Sequence, residues 1–345
     1  MIEIKNYTHE DLKNILLEYG FQKFRASQIF NWIYDKGIFD FNLMTNISKK
    51  DRTLLSEIFS IYIPEIPYVL KSKDGTVKFA IKLKDGNLVE SVLIPDEDRL
   101  TLCVSTQVGC RMGCKFCLTA KQKFIRNLEP HEIIDQVLVA KFLVLNKKLK
   151  ITNIVYMGMG EPLDNLDNTI VSLKILNDDN GFNFSNRRIT VSTCGLYDKF
   201  KKLSDNFDGN IAISLHSADN EKRTKLMPIN KKYPLKNLIE ACRKYPLKNR
   251  QRITFEYILI KDINDSIEDA EKLYKILKGI KAKINLIKFN EYPDSEFKAP
   301  DDKTIEKFQK YLFNKGLTAL LRKSKGNDIL AACGQLYTAS KRRIA

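Results

Sequence analysis

No stretch of this 345-residue chain is apolar for long enough to span a bilayer; the most hydrophobic helix candidate, residues 137–145, is short and carries Lys141. The start, residues 1–12, lacks a basic region followed by an apolar one, so no signal peptide is expected. The chain therefore reads as cytoplasmic with no membrane partner, and in that compartment cysteines serve more often as ligands or catalysts than as structural disulfides. Structural zinc sites usually take their ligands as two separated pairs, and no second pair of close cysteines exists here. Acidic side chains are also scarce: 42 Asp and Glu face 58 Lys and Arg, a formal net charge of +16. That excess suits a polyanionic partner, nucleic acid ahead of an anionic membrane surface.

What is present supports a folded α/β protein, with 43% hydrophobic residues to build one large domain and a small one. Residues 1–60 read as a helical accessory domain. Thr8 caps a helix whose Leu12, Ile15 and Leu16 share a face before Gly20, a second helix runs over 25–36, and a third opens near Ser48. Phe21, Phe24, Phe30, Trp32 and Tyr34 are read mostly as packing. Residues 61–95 form a β-hairpin extension: lysines alternate with apolar residues over 76–83, and Asp74-Gly75 and Asp85-Gly86 mark turns. The next strand, 87–94, carries Glu90, for which base rates favour a solvent-facing carboxylate over a buried proton acceptor.

Beyond Asp96 strands and helices alternate, as in a parallel β/α array. Strands are expected at 100–105, 151–157, 188–193, 210–215, 253–260 and 284–289, with a short one at 317–321. Helices are expected near 130–146, 164–177, 197–204, 235–244, 266–279 and 301–314. Six βα units make a partial (β/α)6 barrel over 96–326, followed by a C-terminal segment, 327–345, that carries Cys333. Ligands of such arrays bind at the carboxyl ends of the strands. The basic excess lies in this core: residues 1–95 hold 13 Lys or Arg against 12 Asp or Glu, whereas 221–252 hold eleven against two. Phosphate neutralisation gives such a run a purpose beyond a solvated face.

The chemistry centres on Cys110-Arg-Met-Gly-Cys114-Lys-Phe-Cys117, directly after the first core strand. Three thiolates at this spacing can hold three irons of a [4Fe-4S] cluster, leaving the fourth iron open to the amino and carboxylate groups of S-adenosylmethionine. Gly158-Met-Gly160-Glu161 follows another strand, where a glycine pair is either a tight turn or a close approach to a ligand. The remaining cysteines, Cys103, Cys194, Cys242 and Cys333, are by default small buried hydrophobes.

A C-x3-C-x2-C run with an aromatic before its last Cys resembles the radical S-adenosylmethionine superfamily. Further stretches narrow the resemblance: Phe116-Cys-Leu-Thr-Ala120, Arg126-Asn-Leu128, Met157-Gly-Met-Gly-Glu-Pro-Leu163, Ser192-Thr-Cys-Gly195, Ser214-Leu-His216, Leu226-Met-Pro-Ile-Asn230 and Ala331-Ala-Cys-Gly-Gln-Leu336. Together they resemble the dual-specificity RNA adenine-C2 methyltransferases, over about Glu90 to Leu336. That family methylates an adenine of 23S rRNA in the peptidyl transferase centre and an adenine next to the anticodon in some tRNAs. The resemblance implies a radical SAM partial barrel, a cluster on Cys110, Cys114 and Cys117, an external electron donor such as flavodoxin, and a monomer. It also implies S-adenosylmethionine contacts from Gly160, Glu161, Ser192, Ser214, Leu215, His216 and Asn290.

By the same resemblance Glu90 is the proton acceptor and Cys103 and Cys333 are a catalytic pair, while Cys194 and Cys242 keep the packing role. Adenine C2 is electron-poor and cannot attack the methyl of S-adenosylmethionine directly, so a thiol must carry the methyl first. Cys333 is expected to become S-methylcysteine, to be activated by a second S-adenosylmethionine and to add to C2. Glu90 then takes the C2 proton, and Cys103 releases the product as a transient disulfide forms. Two positions depart from the family: Lys123 stands where Gly is frequent, and Lys325 where Arg is common. Both keep or add positive charge and bear on RNA contact. The rival functions are the antibiotic-resistance relative that methylates C8, which Thr119-Ala120 and Glu161-Pro162-Leu163 resemble less, and a non-catalytic iron-sulfur RNA-binding protein.

Overall fold

The structure, a computed structural model, describes residues 1–145, 149–293 and 295–338. Ten strands form its main sheet: β1 (Glu65–Lys71), β2 (Val77–Lys82), β3 (Leu88–Asp96), β4 (Arg99–Cys103), β5 (Asn153–Tyr156), β6 (Ile189–Thr193), β7 (Asn210–Ser214), β8 (Ile253–Leu259), β9 (Ala282–Lys288) and β10 (Ala319–Arg322). Their order across the sheet is their order along the chain. β1 to β4 pair antiparallel and β4 to β10 pair parallel. A sheet that grows at one edge by parallel crossovers winds in one direction, which is the barrel arrangement and not the doubly wound one. The expected partial barrel is therefore found, with β10 as an added parallel strand and the hairpin strands continuing the same sheet.

Local sequence explains the elements. β8 reads Ile-Thr-Phe-Glu-Tyr-Ile-Leu and is buried at every position, the pattern of a central parallel strand covered on both faces. In the accessory region α1 (His9–Glu18) is capped by Thr8, which accepts from the Asp11 N–H, and buries Leu12 and Leu16. α2 (Arg25–Phe30) gives way to a π-helical turn, Asn31–Asp35, in place of one helix to residue 36; Ile33 and Tyr34 are both buried there. α3 (Lys49–Ile58) is capped by Ser48. The crossovers hold α4 (Pro130–Leu145), α5 (Leu166–Asn177), α6 (Phe200–Ser204), α7 (Asn220–Leu226), α8 (Leu235–Lys244), α9 (Ile267–Leu277) and α10 (Asp302–Asn314). Residue 146, assigned to the fourth helix from sequence, lies outside the described residues, as do 339–345 of the C-terminal segment. α7 was not expected, because its seven residues bury only Arg223 and Leu226 and show no apolar stripe.

The accessory helices dock on α4 through polar contacts. Buried Lys5 pairs with buried Asp135, and Lys141 Nζ donates to the Tyr34 carbonyl at 2.9 Å. Phe21, Phe30 and Tyr34 are core residues, while Phe24 is exposed. Among the described residues no helix is long and apolar enough to cross a membrane.

Candidate active site

The site is assembled where the parallel strands end. After β4 a two-residue strand, Gln107–Val108, leads into the loop carrying Cys110, Cys114 and Cys117. Arg111 grips Asp164 with two nitrogens, Nε to Oδ2 at 2.7 Å and Nη2 to Oδ1 at 3.0 Å. Gln107 Nε2 donates to the same carboxylate at 2.7 Å. All three thiols line one cavity. Burial pushes each of them up, Cys110 to about 12, so without a metal they are held protonated; coordination deprotonates a thiol outright. Among the described residues no three His, Cys, Asp or Glu side chains converge on a single ion. Three soft thiol donors from one loop, facing one cavity, fit a [4Fe-4S] group with one corner left for a small ligand.

The opposite wall comes from the ends of β5, β6 and β7. Gly158 and Gly160 follow β5 where no side chain fits: a Cβ at Gly158 would lie 2.6 Å from Ser105 Oγ, and one at Gly160, whose φ is +97°, 2.5 Å from Gln107 Cβ. The glycine pair is thus a close approach of two loops. Glu161 is buried, and its carboxylate accepts the N–H of Leu163 at 3.0 Å and of Cys194 at 2.8 Å. Burial raises its pKa, and those bonds oppose the rise. Ser192 and Ser214 line the same cavity. His216 adopts a left-handed φ of +56° and its Nδ1 accepts the Ile258 N–H at 3.1 Å, which leaves the ring proton on Nε2. Burial, helped by the Arg223 cation, holds its pKa down to about 3.

Arg223 is the hub of this wall. It is fully buried, and donates to the carbonyls of Leu215 at 3.1 Å, Cys194 at 2.7 Å and Ser214 at 3.2 Å and to Asn230 Oδ1 at 2.5 Å. It joins the ends of β6 and β7, and it explains the Leu226-Met-Pro-Ile-Asn230 stretch as its support.

An adjoining cavity is lined by Cys103, Asn290, Arg322 and Cys333. Cys117, Arg322 and Cys333 belong to both cavities, so Cys333 stands on the wall between them. Cys333 is exposed, Cys103 is buried, and both are free thiols. Burial, then the neighbouring Cys333, pushes Cys103 up to about 12, and Arg322 pulls it down. Surrounding protein also desolvates the Cys333 sulfur and raises it, although much of the residue faces solvent, and Arg322 again opposes the rise. Cys333 rides on a C-terminal strap bonded to the cluster loop: the Gly334 carbonyl accepts from the Leu118 N–H at 2.6 Å and the Leu336 carbonyl from Thr119 Oγ1 at 2.7 Å. Asn290 Nδ2 donates to the Cys333 carbonyl at 3.2 Å.

Glu90 is not solvent-facing. It is 1% exposed, and β-sheet register puts it on the face shared by Val92 and, across the strand pair, Cys103. Its carboxylate takes the Tyr68 hydroxyl at 2.8 Å and the Lys78 ammonium at 2.9 Å on Oε1, and the Tyr337 N–H at 2.8 Å on Oε2. The polar face implied by the alternation in β2 is correspondingly not a solvent face: Lys78 is 5% exposed, because the strap covers it and the Leu330 carbonyl accepts from its Nζ at 3.2 Å.

Of the residues singled out from sequence, one cavity gathers the three loop cysteines, Gly160, Glu161, Ser192, Ser214, His216 and Cys333. Asn290 and Cys103 belong to its neighbour. Leu215 is fully buried and lines neither cavity; its N–H donates to the Glu256 carbonyl at 3.0 Å and its carbonyl accepts from Arg223. Cys194 and Cys242 are buried as expected, although Cys194 also lends its N–H to Glu161. Tyr68, Lys78, Arg223 and Arg322 were missed; of these only Lys78, a basic residue between apolar neighbours in β2, carried a local signal.

Comparisons with known proteins agree with this geometry. A Radical SAM superfamily model matches residues 104–275, and a model of the ribosomal RNA large subunit methyltransferase N-terminal domain matches residues 2–61. The chain is 49% identical to a dual-specificity RNA methyltransferase RlmN of a Nitratiruptor species, over 99% of both chains. It is 51% identical to the protein of that description from Desulfosudis oleivorans, over 99% of this chain and 92% of that one. The crystal structure of a radical SAM methyltransferase from Sphaerobacter thermophilus matches with a TM-score of 0.92 at 38% identity, covering 97% of this chain and 99% of that one.

Proposed function

The chain belongs to the dual-specificity RNA methyltransferase family RlmN, and from that premise we propose that it methylates C2 of one adenine in 23S rRNA and of an adenine beside the anticodon in tRNA. Its cofactors are a [4Fe-4S] cluster and S-adenosylmethionine. When bound, they supply one-electron cleavage of the sulfonium to a hydrogen-abstracting 5'-deoxyadenosyl radical. We assign the cluster to Cys110, Cys114 and Cys117. The cosubstrate is assigned to Gly160, Glu161, Ser192, Ser214, Leu215 and His216, with Asn290 from the adjoining cavity. An external donor such as flavodoxin provides the electrons, and the enzyme works as a cytoplasmic monomer.

The protein's own residues carry the methyl. The Cys333 sulfur displaces it from S-adenosylmethionine and becomes S-methylcysteine, because adenine C2 is too electron-poor to do so. Glu90 removes the C2 proton once the carrier has bonded to the base, and Cys103 attacks the Cys333 sulfur to free the product. The resulting disulfide is reset by external thiols. The observation that carries this reading is the position of Cys333 on the wall shared by two cavities, one with the three loop thiols and the other with Cys103.

The test is a label. Protein incubated with methyl-labelled S-adenosylmethionine is digested, and the peptide containing Cys333 is weighed. One methyl on that cysteine is expected, and none anywhere in Cys333→Ala; RNA methylation at the normal rate by Cys333→Ala would refute the carrier.

A further inference from the structure

Lys78 and Glu90 form a buried ion pair that the assigned roles leave unexplained. The two side chains are 7% and 1% exposed, and Nζ stands 2.9 Å from Oε1. Desolvating two charges is costly, and an apolar pair of equal volume often serves stability as well or better. Such pairs persist for other reasons, among them function.

Register shows what this one is aimed at. Tyr68 on β1 pairs with Ala80 on β2, and Ala80 pairs with Glu90 on β3. The small alanine leaves the tyrosine ring room to reach across it, over roughly 10 Å for two strand spacings. Lys78 lies two residues before Ala80, on the same face, opposite Val92, and Val92 in turn faces Cys103. One sheet face therefore presents Tyr68, Lys78, Glu90 and Cys103 in neighbouring positions. Burial and the Glu90 carboxylate push the Tyr68 phenol up, so it remains a donor. Both donors engage Oε1, whereas Oε2 is met by the Tyr337 N–H of the strap that carries Cys333.

We propose that Lys78 and Tyr68 are the positioning residues of the proton-removal step: they anchor Glu90 through Oε1 and reserve Oε2 as the oxygen that accepts the C2 proton. The inference rests on the reading of Glu90 as proton acceptor. In the step, the C2–H bond breaks, its proton passes to Oε2, and its electron pair stays in the adenine ring. The Tyr337 N–H is exchanged for the incoming base as RNA enters.

The experiment is a single-turnover assay of the full, cluster-loaded protein with its RNA. It follows methyl uptake by Cys333, 5'-deoxyadenosine yield and the covalent protein–RNA adduct in parallel. Glu90→Gln should trap the adduct. Lys78→Met should also accumulate it, with product release slowed on the order of 10²-fold, while methyl uptake and 5'-deoxyadenosine yield stay near wild type. Lys78→Arg should recover most of the release rate. Tyr68→Phe, which removes one oxygen and keeps the ring, should accumulate the adduct to a lesser degree, and it serves as the independent variant if Lys78→Met folds poorly. Uniform loss of all three signals in Lys78→Met without adduct, or wild-type release in Tyr68→Phe and Lys78→Met, overturns the inference alone. Normal turnover by Glu90→Gln overturns the Glu90 reading and this inference with it.

Discussion

Cys103 is a poor nucleophile at rest. Burial pushes its thiol up to about 12, and only Arg322 pulls the other way among the neighbouring charges. Its assigned task comes late, when it attacks the sulfur of Cys333, so a thiol that stays protonated until then is protected from premature oxidation. Cys103→Ala should therefore leave methyl uptake intact and allow the protein–RNA adduct to accumulate, visible as a band that RNase shifts in a denaturing gel. Wild-type turnover by this variant would remove the resolving role. At this scale the sequence was informative in uneven ways. Cys103 and Cys333 were identifiable by resemblance, not by pattern. Lys78 went unnoticed because period-two alternation divides a strand into two faces without revealing which face another segment will cover. The segment covering it lies 252 residues away.

The elements were the most legible level. All of the parallel strands expected from apolar runs are present within a few residues of their expected limits, since each is short, buried and bounded by turns. α7 escaped because its partner is a buried arginine, not an apolar stripe. α4 illustrates an energetic consequence. His131, in its first turn, is buried, and burial followed by Lys5, Lys84 and Arg126 holds its pKa down to about 3. An unfolded histidine titrates near 6.5, so between about 3 and 6.5 the unfolded chain binds a proton that the native protein does not. The stabilisation is complete above about pH 6.5 and is lost as pH falls, with a limiting slope of about 1.4 kcal/mol per pH unit. Asp135 on the same helix works in the opposite sense, since burial raises its pKa and favours its protonated form in the fold. Replacing His131 isolates its share: from pH 7 to pH 5 the denaturation midpoint of His131→Gln should fall less than that of the wild type. Parallel curves would contradict the buried neutral histidine.

At the scale of the molecule, the fold is a sheet that starts as an antiparallel hairpin and ends as a partial barrel, with the site straddling the change. The parallel half contributes the cluster loop and the Gly160-Glu161 wall, the antiparallel half Glu90, and the strap from beyond β10 joins them through Cys333 and Tyr337. Local sequence patterns disclosed each half, but not this closure, which depends on contacts between residues 247 apart. The proposed chemistry delivers one methyl to one carbon, and product analysis reads that carbon. The full protein, reduced anaerobically with S-adenosylmethionine, is given unmodified large-subunit rRNA and tRNA, and the digested nucleosides are separated and weighed. The expected product is 2-methyladenosine in both RNAs. 8-Methyladenosine, or 5'-deoxyadenosine formed with no methylated adenosine at all, would contradict the proposed chemistry.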